Sequence, residues 1–593
     1  MATQREIFNN LFHTKLAGWT PLSASHHALF NEEELAVLQR SNRTFKAEGR
    51  NVVLLSYENR FATLGGLGAV IQQLPLTLSN QGEKVLLLTP LHQKNATVQK
   101  AIATGALVSR CSNRIVRICN YSCTASCYEE TDASVPTYHI GIEGRFTSGD
   151  NPYGYADQDN LLFDALAFCA VVPSMLEFLG VTDRVLIHAH DWETAPIAVF
   201  SRFAVLSSVL RQVRTVLTLH NSFDIPFPDR LKVCFFGKVF PGETVLRCML
   251  PFFHGPLTTV STPFAHELRH DPLQRGFFAD HLQELFRRNP PIGIENGMFG
   301  DPKFPFTKSE TDAAAGKNYG PILGKKESWR TSFLTTLHGM NDKRVIGRLD
   351  NASLDDPSVP VFFMSGRYDL MQKGFDTVFH AFAALKPGSA HLFFTPNLHN
   401  GDDDLSFFRE MAEQCSGSIT IWPFKIAVKQ YRTFLQGASF LLMPSLYEPF
   451  GAASEGFLHG TPVIARATGG LLSQIHPGAD FTVPPLYSSL VPASVHDAGN
   501  GILYRETFPD QEAEKLWRPL LRASLWERSA NPLYQSIVAA AKKALEEACS
   551  VVAEKDRYGA MIHNGLQSVR EHSWDLAVEK YRRVYDSTIA RGA

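Results

Sequence analysis

The stretch FLLMPSLYEPFGAASEGFLHGTPVIARATGGL, residues Phe440–Leu471, decides how the rest of the sequence is interpreted. It opens with an apolar run, Phe440–Met443, which predicts a strand of a parallel sheet that is covered on both faces. A turn, a glutamate (Glu448), a short helix of small residues (Gly451–His459) and a second apolar strand (Pro462–Ala465) follow. Ligands bind beyond the carboxyl ends of parallel strands, and glycine-containing helix starts offer free N–H groups to phosphate. A carboxylate beside such N–H groups indicates a ligand with both hydroxyls and phosphates, such as a nucleotide sugar.

The same stretch resembles the donor-binding half of a GT-B glycosyltransferase, and it is similar to the bacterial-type glycogen and starch synthases. The matching segments are E-P-F-G at Glu448–Gly451, G-T-P-V-I at Gly460–Ile464 and T-G-G-L at Thr468–Leu471. The alternative is a generic α/β repeat, but a chance match of this length is much rarer than a lone glycine motif. The resemblance implies an α/β protein with the GT-B fold: two Rossmann-like doubly wound domains face a central cleft, and a C-terminal helix crosses back to the first domain.

The composition is that of a globular protein, since 44% of the 593 residues are hydrophobic and 20% are charged. A net charge of −2 gives no electrostatic case for binding nucleic acid or an anionic membrane. The first residues lack the apolar core of a signal peptide. The most apolar long segment, Phe163–Val181, contains Asp164, Pro173 and Glu177, which favours a core helix over a membrane span. Nine scattered cysteines, an odd number, favour a reducing compartment, and we expect the cytoplasm.

The order of strands, glycine turns and helices predicts two βα repeat sets. The first set opens at the apolar run Asn51–Ser56, which leads through FATLGGLGAV into a helix and a second strand at Lys84–Thr89. We interpret residues 1–50 as an N-terminal extension of unassigned role. Residues 51–290 then form an N-terminal Rossmann-like domain on the acceptor side, which residues 565–593 complete. Residues 291–564 form a C-terminal Rossmann-like domain that binds the donor, with a surface insertion at 477–498.

Two cations flank a predicted strand-to-helix turn of the second set. Arg367 offers a bidentate fork and Lys373 a compact charge, so together they suit two phosphates, although most such cations are solvated surface residues. The family resemblance implies that both hold the leaving diphosphate, together with backbone N–H groups of Thr468, Gly469 and Gly470. It also implies that Glu448 contacts the transferred glucose.

In the first set, polar residues follow the predicted strands at Val185–His188 and Thr215–Leu219. The resemblance implies that His220 binds the 6-hydroxyl of the sugar and that Asp191 and Trp192 line the acceptor side of the cleft. We also expect Asn221 to contact substrate, as well as the backbone of a glycine loop at Gly65 and Gly66, because glycine permits close approach.

Three positions depart from the family pattern. Thr63 stands where the family's glycine loop has a lysine near the diphosphate, and Ala69 stands where it has an aspartate. Glu193 replaces the histidine of the D-W-H motif. Losing the lysine removes one cation, which lowers transition-state stabilisation by about a few kcal/mol.

The sequence predicts no metal and no cofactor other than the nucleotide sugar, ADP-glucose or UDP-glucose, as co-substrate. Two D-x-D-like groups lie in polar, turn-like sequence and are interpreted as solvated loops: Asp402-Asp403-Asp404 and Asp157-Gln158-Asp159. Four clustered cysteines lack the paired C-x2-C spacing of a zinc site: Cys111, Cys119, Cys123 and Cys127.

These patterns predict an enzyme that moves glucose, with retention, from a nucleotide-glucose to the non-reducing end of an α-1,4-glucan. The altered glycine loop and Glu193 keep two alternatives open: a GT-B glycosyltransferase with a protein or small-molecule acceptor, or a weakly active glucan-binding relative. The sequence does not separate ADP-glucose from UDP-glucose, and it does not give the oligomeric state.

Overall fold

The computed structural model describes residues 24–299, 304–350, 356–398, 403–478, 481–490 and 499–590. The chain divides into two compact units. The first unit comprises Met1–Val260, His281–Ile294 and Trp574–Ala593, and the second comprises Ser261–Asp280 and Glu295–Ser573. Strands and helices are numbered along the whole chain.

The first unit is built on a nine-stranded sheet in the order β3-β4-β5-β2-β1-β6-β7-β8-β9. Its strands are β1 Asn51–Leu55, β2 Lys84–Pro90, β3 Leu107–Ile118, β4 Tyr121–Glu130, β5 Thr137–Ile142, β6 Val185–His190, β7 Val213–Leu219, β8 Leu257–Thr259 and β9 Ile292–Gly293. Its helices are α1 Ala24–Leu29, α2 Glu32–Arg43, α3 Gly66–Asn80, α4 Ala96–Ala103, α5 Gln158–Phe178, α6 Ile197–Leu206, α7 Asp229–Phe236, α8 Val245–Met249, α10 Gln283–Arg288 and α21 Trp574–Ala590.

Most of this sheet is parallel, and its central strands are buried along their length because helices cover both faces. The segment 107–142 is the antiparallel part of the sheet, since β3 pairs antiparallel with β4 and β4 with β5. Helix α5 is apolar enough to span a membrane, but 83% of its most apolar window is buried inside the protein. The prediction of a core helix is therefore confirmed.

The described part of the N-terminal extension belongs to the core of the first unit. Asn31 caps α2 through a capping box with Glu34, which fixes where this helix begins. Phe30 is buried and packs edge-on against Phe203 and Phe252. Residues 24–50 are thus an integral layer of the unit, and residues 1–23 lie outside the described residues.

The second unit contains a six-stranded, all-parallel sheet in the order β12-β11-β10-β13-β14-β15. Its strands are β10 Val361–Arg367, β11 His391–Asn397, β12 Ile419–Ile421, β13 Phe440–Met443, β14 Val463–Arg466 and β15 Gly501–Tyr504. Its helices are α9 Thr262–His270, α11 Lys308–Ala315, α12 Gly320–His338, α13 Phe375–Ala383, α14 Ser406–Gln414, α15 Val428–Gly437, α16 Ala453–Leu458, α17 Leu471–Gln474, α18 Asp510–Arg522, α19 Pro532–Ala553 and α20 Lys555–Ser568.

The division into units differs from the sequence-based boundaries in three places, and the smallest difference is that residues 291–294 belong to the first unit. Ser261–Asp280 belongs to the second unit, although β8 immediately before it belongs to the first. The chain returns to the first unit at Trp574 rather than at residue 565, because α20 packs in the second unit and the helical run breaks before α21. Local sequence patterns do not reveal which unit a helix packs against.

Candidate active site

Each sheet has a topological switch point, where the order in which the chain adds strands changes from one side of the sheet to the other. In the first unit β1 lies between β2 and β6, and in the second unit β10 lies between β11 and β13. Crevices at the carboxyl ends of such strand pairs are the usual ligand sites of doubly wound sheets. The predicted site residues lie on these two edges, one in each unit.

In the second unit, the structure brings Lys373 and Glu448 into contact. The Nζ atom of Lys373 donates to Oε2 of Glu448 at 2.6 Å, and the hydroxyl of Ser445 donates to the same oxygen at 2.8 Å. Lys373 follows β10 and Glu448 follows β13, so the parallel pairing of these strands places them together. The Glu448 side chain is only 9% exposed, which favours a fixed geometry. The other ammonium hydrogens of Lys373 can donate hydrogen bonds to a ligand.

Arg367 ends β10 on the same edge. Its guanidinium donates to Oε1 of Gln372 at 2.7 Å and lies 3.5 Å from a carboxylate oxygen of Asp369. The backbone of Gln372 is tied to the Glu448 loop, because its carbonyl accepts from the amide of Leu446 at 2.7 Å. The side chain of Arg367 is 34% exposed, so this cation is available to a ligand and is not buried in a structural ion pair.

The turn between Arg367 and Lys373 fits tightly under the Glu448 loop. Gly374, the residue after Lys373, has a φ of +56°, and a Cβ atom there would lie 2.5 Å from the carbonyl oxygen of Pro444. Only glycine accepts both the left-handed conformation and this approach. The sequence therefore sets the distance between the two loops that carry Lys373 and Glu448.

The Thr468–Gly470 turn does not match its predicted role. The amide of Gly469 donates to Oε1 of Glu267 at 2.8 Å, and the amide of Gly470 donates to the carbonyl of Glu448 at 3.0 Å. Thr468 is 1% exposed and its hydroxyl also donates to Glu267. The amides of Gly469 and Gly470 are thus occupied by protein acceptors, so in this structure they support the Glu448 loop and are not free to bind a diphosphate.

In the first unit, His220 lies beside Asp191 at the carboxyl ends of β7 and β6. The amide of His220 donates to Oδ1 of Asp191 at 2.6 Å. The Nε2 atom of His220 is 2.9 Å from Nδ1 of His190, so one imidazole donates to the other and fixes the ring of His220. Asp191 has a φ of +61°, which is unusual for a residue other than glycine and is typical of functional sites.

Burial controls the protonation of this cluster. It lowers the pKa of His220 to about 3, so the imidazole is neutral at physiological pH. Burial raises the pKa of Asp191 to about 7, and the nearby Glu58 carboxylate adds to this shift. A neutral imidazole can accept a hydrogen bond or donate one to a hydroxyl, which is the chemistry predicted for His220.

Three other residues of the first unit were predicted to line the cleft or contact substrate, and they differ in exposure and in their contacts. Trp192 is 1% exposed, so its ring belongs to the core and does not line a surface as predicted. The Asn221 side chain accepts from the amide of Phe223 at 2.7 Å and shapes the loop after β7. Gly66 is exposed, and a Cβ atom there would meet open space.

Glu58 is a site residue that the sequence reasoning missed. Its carboxylate accepts from the whole glycine loop, with donors at Thr63 Oγ1 (2.8 Å) and the amides of Leu64 (3.2 Å), Gly65 (3.3 Å) and Gly68 (3.1 Å). The hydroxyl of Tyr153 donates to the other carboxylate oxygen at 3.1 Å. An internal carboxylate thus occupies the N–H groups of this loop, including that of Gly65, which was predicted to face substrate. A glutamate seven residues before a glycine pair was the available signal.

Glu193, one of the departures from the family pattern, is buried and lacks a compensating cation in the described structure. Its side chain is 5% exposed, and its Oε2 atom has no hydrogen-bond partner among the described residues. Burial raises the pKa of Glu193 well above its ordinary value of 4.5, and the neighbouring Asp191 raises it further. Both effects favour the neutral form of this carboxyl group in the folded protein.

Replacing Glu193 by glutamine is expected to change how the free energy of unfolding depends on pH. The unfolded chain releases the Glu193 proton near pH 4.5, whereas the folded protein keeps it to higher pH. The wild type is therefore stabilised at low pH and loses stability relative to the variant as pH rises, by at most about 1.4 kcal/mol per pH unit. Urea unfolding of both proteins at about pH 5 and about pH 7 should show that the free energy of unfolding of the wild type falls relative to that of the variant. Exposed Glu143→Gln is the control, and parallel pH profiles for wild type and Glu193→Gln contradict the neutral carboxyl.

The D-x-D-like groups have structural roles where they are described. Asp157 caps α5 and Asp159 pairs with Arg230, while Asp404 accepts from the amide of Ser406. Asp402 lies outside the described residues. Among the residues that the structure describes, no three His, Cys, Asp or Glu side chains are arranged to hold a metal ion.

Comparisons with known proteins show which sequences and folds this chain is similar to. Residues 51–287 match the family model "Starch synthase catalytic domain", and residues 338–531 match "Family 4 Glycosyltransferase in conflict systems". The glycogen synthase of Desulfitobacterium hafniense is 25% identical over 556 residues, which cover 89% of this chain and 96% of the relative. The glycogen synthase of Pseudothermotoga lettingae is 24% identical over 558 residues, covering 91% and 99%.

Among solved structures, the chain is similar to the catalytic domain of starch synthase IV from Arabidopsis thaliana bound to ADP and acarbose. The TM-score is 0.65 at 17% identity, and the match covers 91% of this chain and 99% of that chain. The fold of two Rossmann-like units is that of a GT-B glycosyltransferase. Within this class, the matched starch synthase domain and the glycogen synthase relatives support an enzyme similar to glycogen and starch synthases, which are hexosyltransferases.

Proposed function

We propose that this enzyme transfers glucose from a nucleotide-glucose to the non-reducing end of an α-1,4-glucan, with retention of configuration. The observation that carries the proposal is the Lys373–Glu448 contact of 2.6 Å at the carboxyl edge of the second sheet, with Arg367 ending the strand beside it. Two cations and one carboxylate on one edge of the sheet support binding of a sugar diphosphate there. The names of the glycogen synthase relatives support the choice of glucose and glucan.

The cations act on the leaving group. Breaking the bond between the anomeric carbon and the diphosphate oxygen moves negative charge onto the diphosphate. Arg367 and Lys373 stabilise that charge, and their effect is larger in the transition state than in the bound substrate because the charge is still growing. The proposal needs no metal ion for this step, since the two side chains supply the positive charge.

Two further residues hold the sugar. Glu448 accepts hydrogen bonds from glucose hydroxyls through carboxylate oxygens that Lys373 and Ser445 already orient. His220 of the first unit binds the 6-hydroxyl as a neutral imidazole, which His190 holds in one orientation. We place the enzyme in the cytoplasm, where nucleotide sugars are made and used.

Release of nucleoside diphosphate from ADP-glucose and from UDP-glucose, each with and without glycogen, tests the proposal. The expected result is release from at least one donor that glycogen accelerates at least about tenfold, because transfer to a bound acceptor outruns hydrolysis. Elongated chains must appear in the glucan product. Equal rates with and without glycogen, or no release from either donor, contradict the proposed function.

A second candidate, a GT-B enzyme with another acceptor or with weak activity, is favoured by the glycine loop. Thr63 stands where the family has a lysine, and its hydroxyl donates to Glu58, so the loop contributes no cation. Donor turnover that a protein or small-molecule acceptor stimulates, while glycogen does not, supports this candidate.

A further inference from the structure

The segment Ser261–Asp280 contributes to the second unit, although the flanking strands β8 and β9 belong to the first. Helix α9 lies in this segment and is capped by Ser261. The hydroxyl of Ser261 also donates to the carbonyl of Pro449 at 2.6 Å, directly beside Glu448. The segment therefore contacts the Glu448 loop through the start of α9.

The strongest contact of the segment is made by Glu267 in the middle of α9. One oxygen of its carboxylate, Oε1, accepts from the hydroxyl of Thr468 at 2.9 Å, the amide of Gly469 at 2.8 Å and the hydroxyl of Tyr487 at 2.5 Å. Glu267 is 0% exposed. A buried carboxylate with three donors on one oxygen holds its partners firmly, since each loses a hydrogen bond if it moves.

Tyr487 lies in the region that the sequence predicted to be a surface insertion. It is 0% exposed, and its hydroxyl accepts from Arg505 at 2.9 Å. Arg505 in turn donates to Asp271 at the end of α9 at 2.6 Å. The described part of the insertion thus joins α9 to the second sheet and is not a separate surface feature.

The turn that Glu267 holds is pressed against the main chain of Glu448. Gly469 has a φ of +47°, and a Cβ atom there would lie 1.8 Å from the carbonyl oxygen of Glu448. The same carbonyl accepts from the amide of Gly470 at 3.0 Å. With so little space, a displacement of the turn moves Glu448 as well.

We propose that Glu267 is a positioning residue for Glu448: it fixes the Thr468–Gly470 turn, and the turn fixes the main chain that carries Glu448. The inference rests on the proposed function, in which Glu448 contacts the transferred glucose. Glu267 itself touches neither the sugar nor the diphosphate. The contact also explains why the sequence motif T-G-G-L accompanies Glu448 without binding phosphate.

Two variants separate positioning from folding. Glu267→Gln keeps a carbonyl oxygen that can accept from all three donors, whereas Glu267→Ala removes the acceptor. For Glu267→Ala we expect kcat to fall about 30- to 100-fold, as for a displacement of about 1 Å at a reacting group. KM for the nucleotide-glucose should change less than about threefold, because Arg367 and Lys373 keep the diphosphate. Glu267→Gln should retain kcat within about threefold of the wild type. Rates are normalised to the nucleoside diphosphate bound per chain, which corrects for any unfolded fraction.

Hydrogen exchange of the Gly469 and Gly470 amides provides a readout that does not need activity. Their protection should fall at least about tenfold in Glu267→Ala and stay near that of the wild type in Glu267→Gln. Inactive wild-type protein would refute the proposed function, while the exchange result would still test the contact. A normalised kcat of Glu267→Ala within twofold of the wild type, unchanged protection in this variant, or a kcat of Glu267→Gln as low as that of Glu267→Ala would overturn the positioning role.

Discussion

Glu448→Ala is expected to reduce diphosphate release from the nucleotide-glucose by about a thousandfold, which corresponds to about 4 kcal/mol of transition-state stabilisation. The variant removes the acceptor for the glucose hydroxyls and leaves the Nζ atom of Lys373 without the partner that holds it at 2.6 Å. Both losses act on the reacting end of the donor. Steady-state release with glycogen present measures the effect.

Two controls make the Glu448 result specific. Glu413, an exposed glutamate on α14 of the same unit, should tolerate alanine with activity within twofold of the wild type. Thermal unfolding should show that Glu448→Ala retains the fold, because its partner Lys373 is partly exposed and water can solvate the ammonium group once the carboxylate is removed. A folded Glu448→Ala protein with more than about a tenth of the wild-type rate contradicts the assignment of Glu448.

Lys373→Ala is expected to lower kcat/KM by about a hundredfold or more, since deletions of single charge-stabilising groups cost about 10² to 10³. The loss should appear mainly in kcat, because the charge on the diphosphate is largest in the transition state. A smaller part should appear as weaker binding of the nucleoside diphosphate product. Calorimetric titration of that product and steady-state kinetics separate the two.

Lys386, an exposed lysine after α13 in the same unit, is the matched control for Lys373. Lys386→Ala should leave kcat and product binding unchanged within twofold. If Lys373→Ala loses thermal stability but keeps kcat, the Lys373–Glu448 pair is a structural salt bridge and the proposed role in charge stabilisation is wrong.

The sequence correctly predicted those features of the second unit that depend on residues close together in the chain. The apolar run Phe440–Met443 is a strand with the predicted bounds, and the strand at Val361–Arg367 brings Arg367 to the predicted edge. Glu448 and Lys373 meet because parallel pairing of β10 and β13 is implied by alternating strands and helices. The spacing of the motif residues predicted these positions because it depends on the geometry of the turns that hold them.

The predictions failed where partners come from distant parts of the chain. The amide of Gly469 is bonded to Glu267, a residue 202 positions away, and nothing in the local sequence around Thr468 indicates that partner. Trp192 follows a strand end, as a cleft residue would, yet packing of the first unit buries it. The amides of a glycine-rich turn can bind a phosphate, but they can equally donate to a carboxylate of the protein. In this structure such amides donate to Glu58 and to Glu267.

A crystal structure with a bound nucleotide-glucose, or with a non-hydrolysable analogue, shows directly where the diphosphate binds. We expect diphosphate oxygens within about 3.5 Å of the Arg367 guanidinium and of Lys373 Nζ, and a glucose hydroxyl at hydrogen-bonding distance from the Glu448 carboxylate. We also expect Gly469 to keep its hydrogen bond to Glu267. A diphosphate seated on the Thr468–Gly470 amides, or away from Arg367 and Lys373, would contradict this assignment.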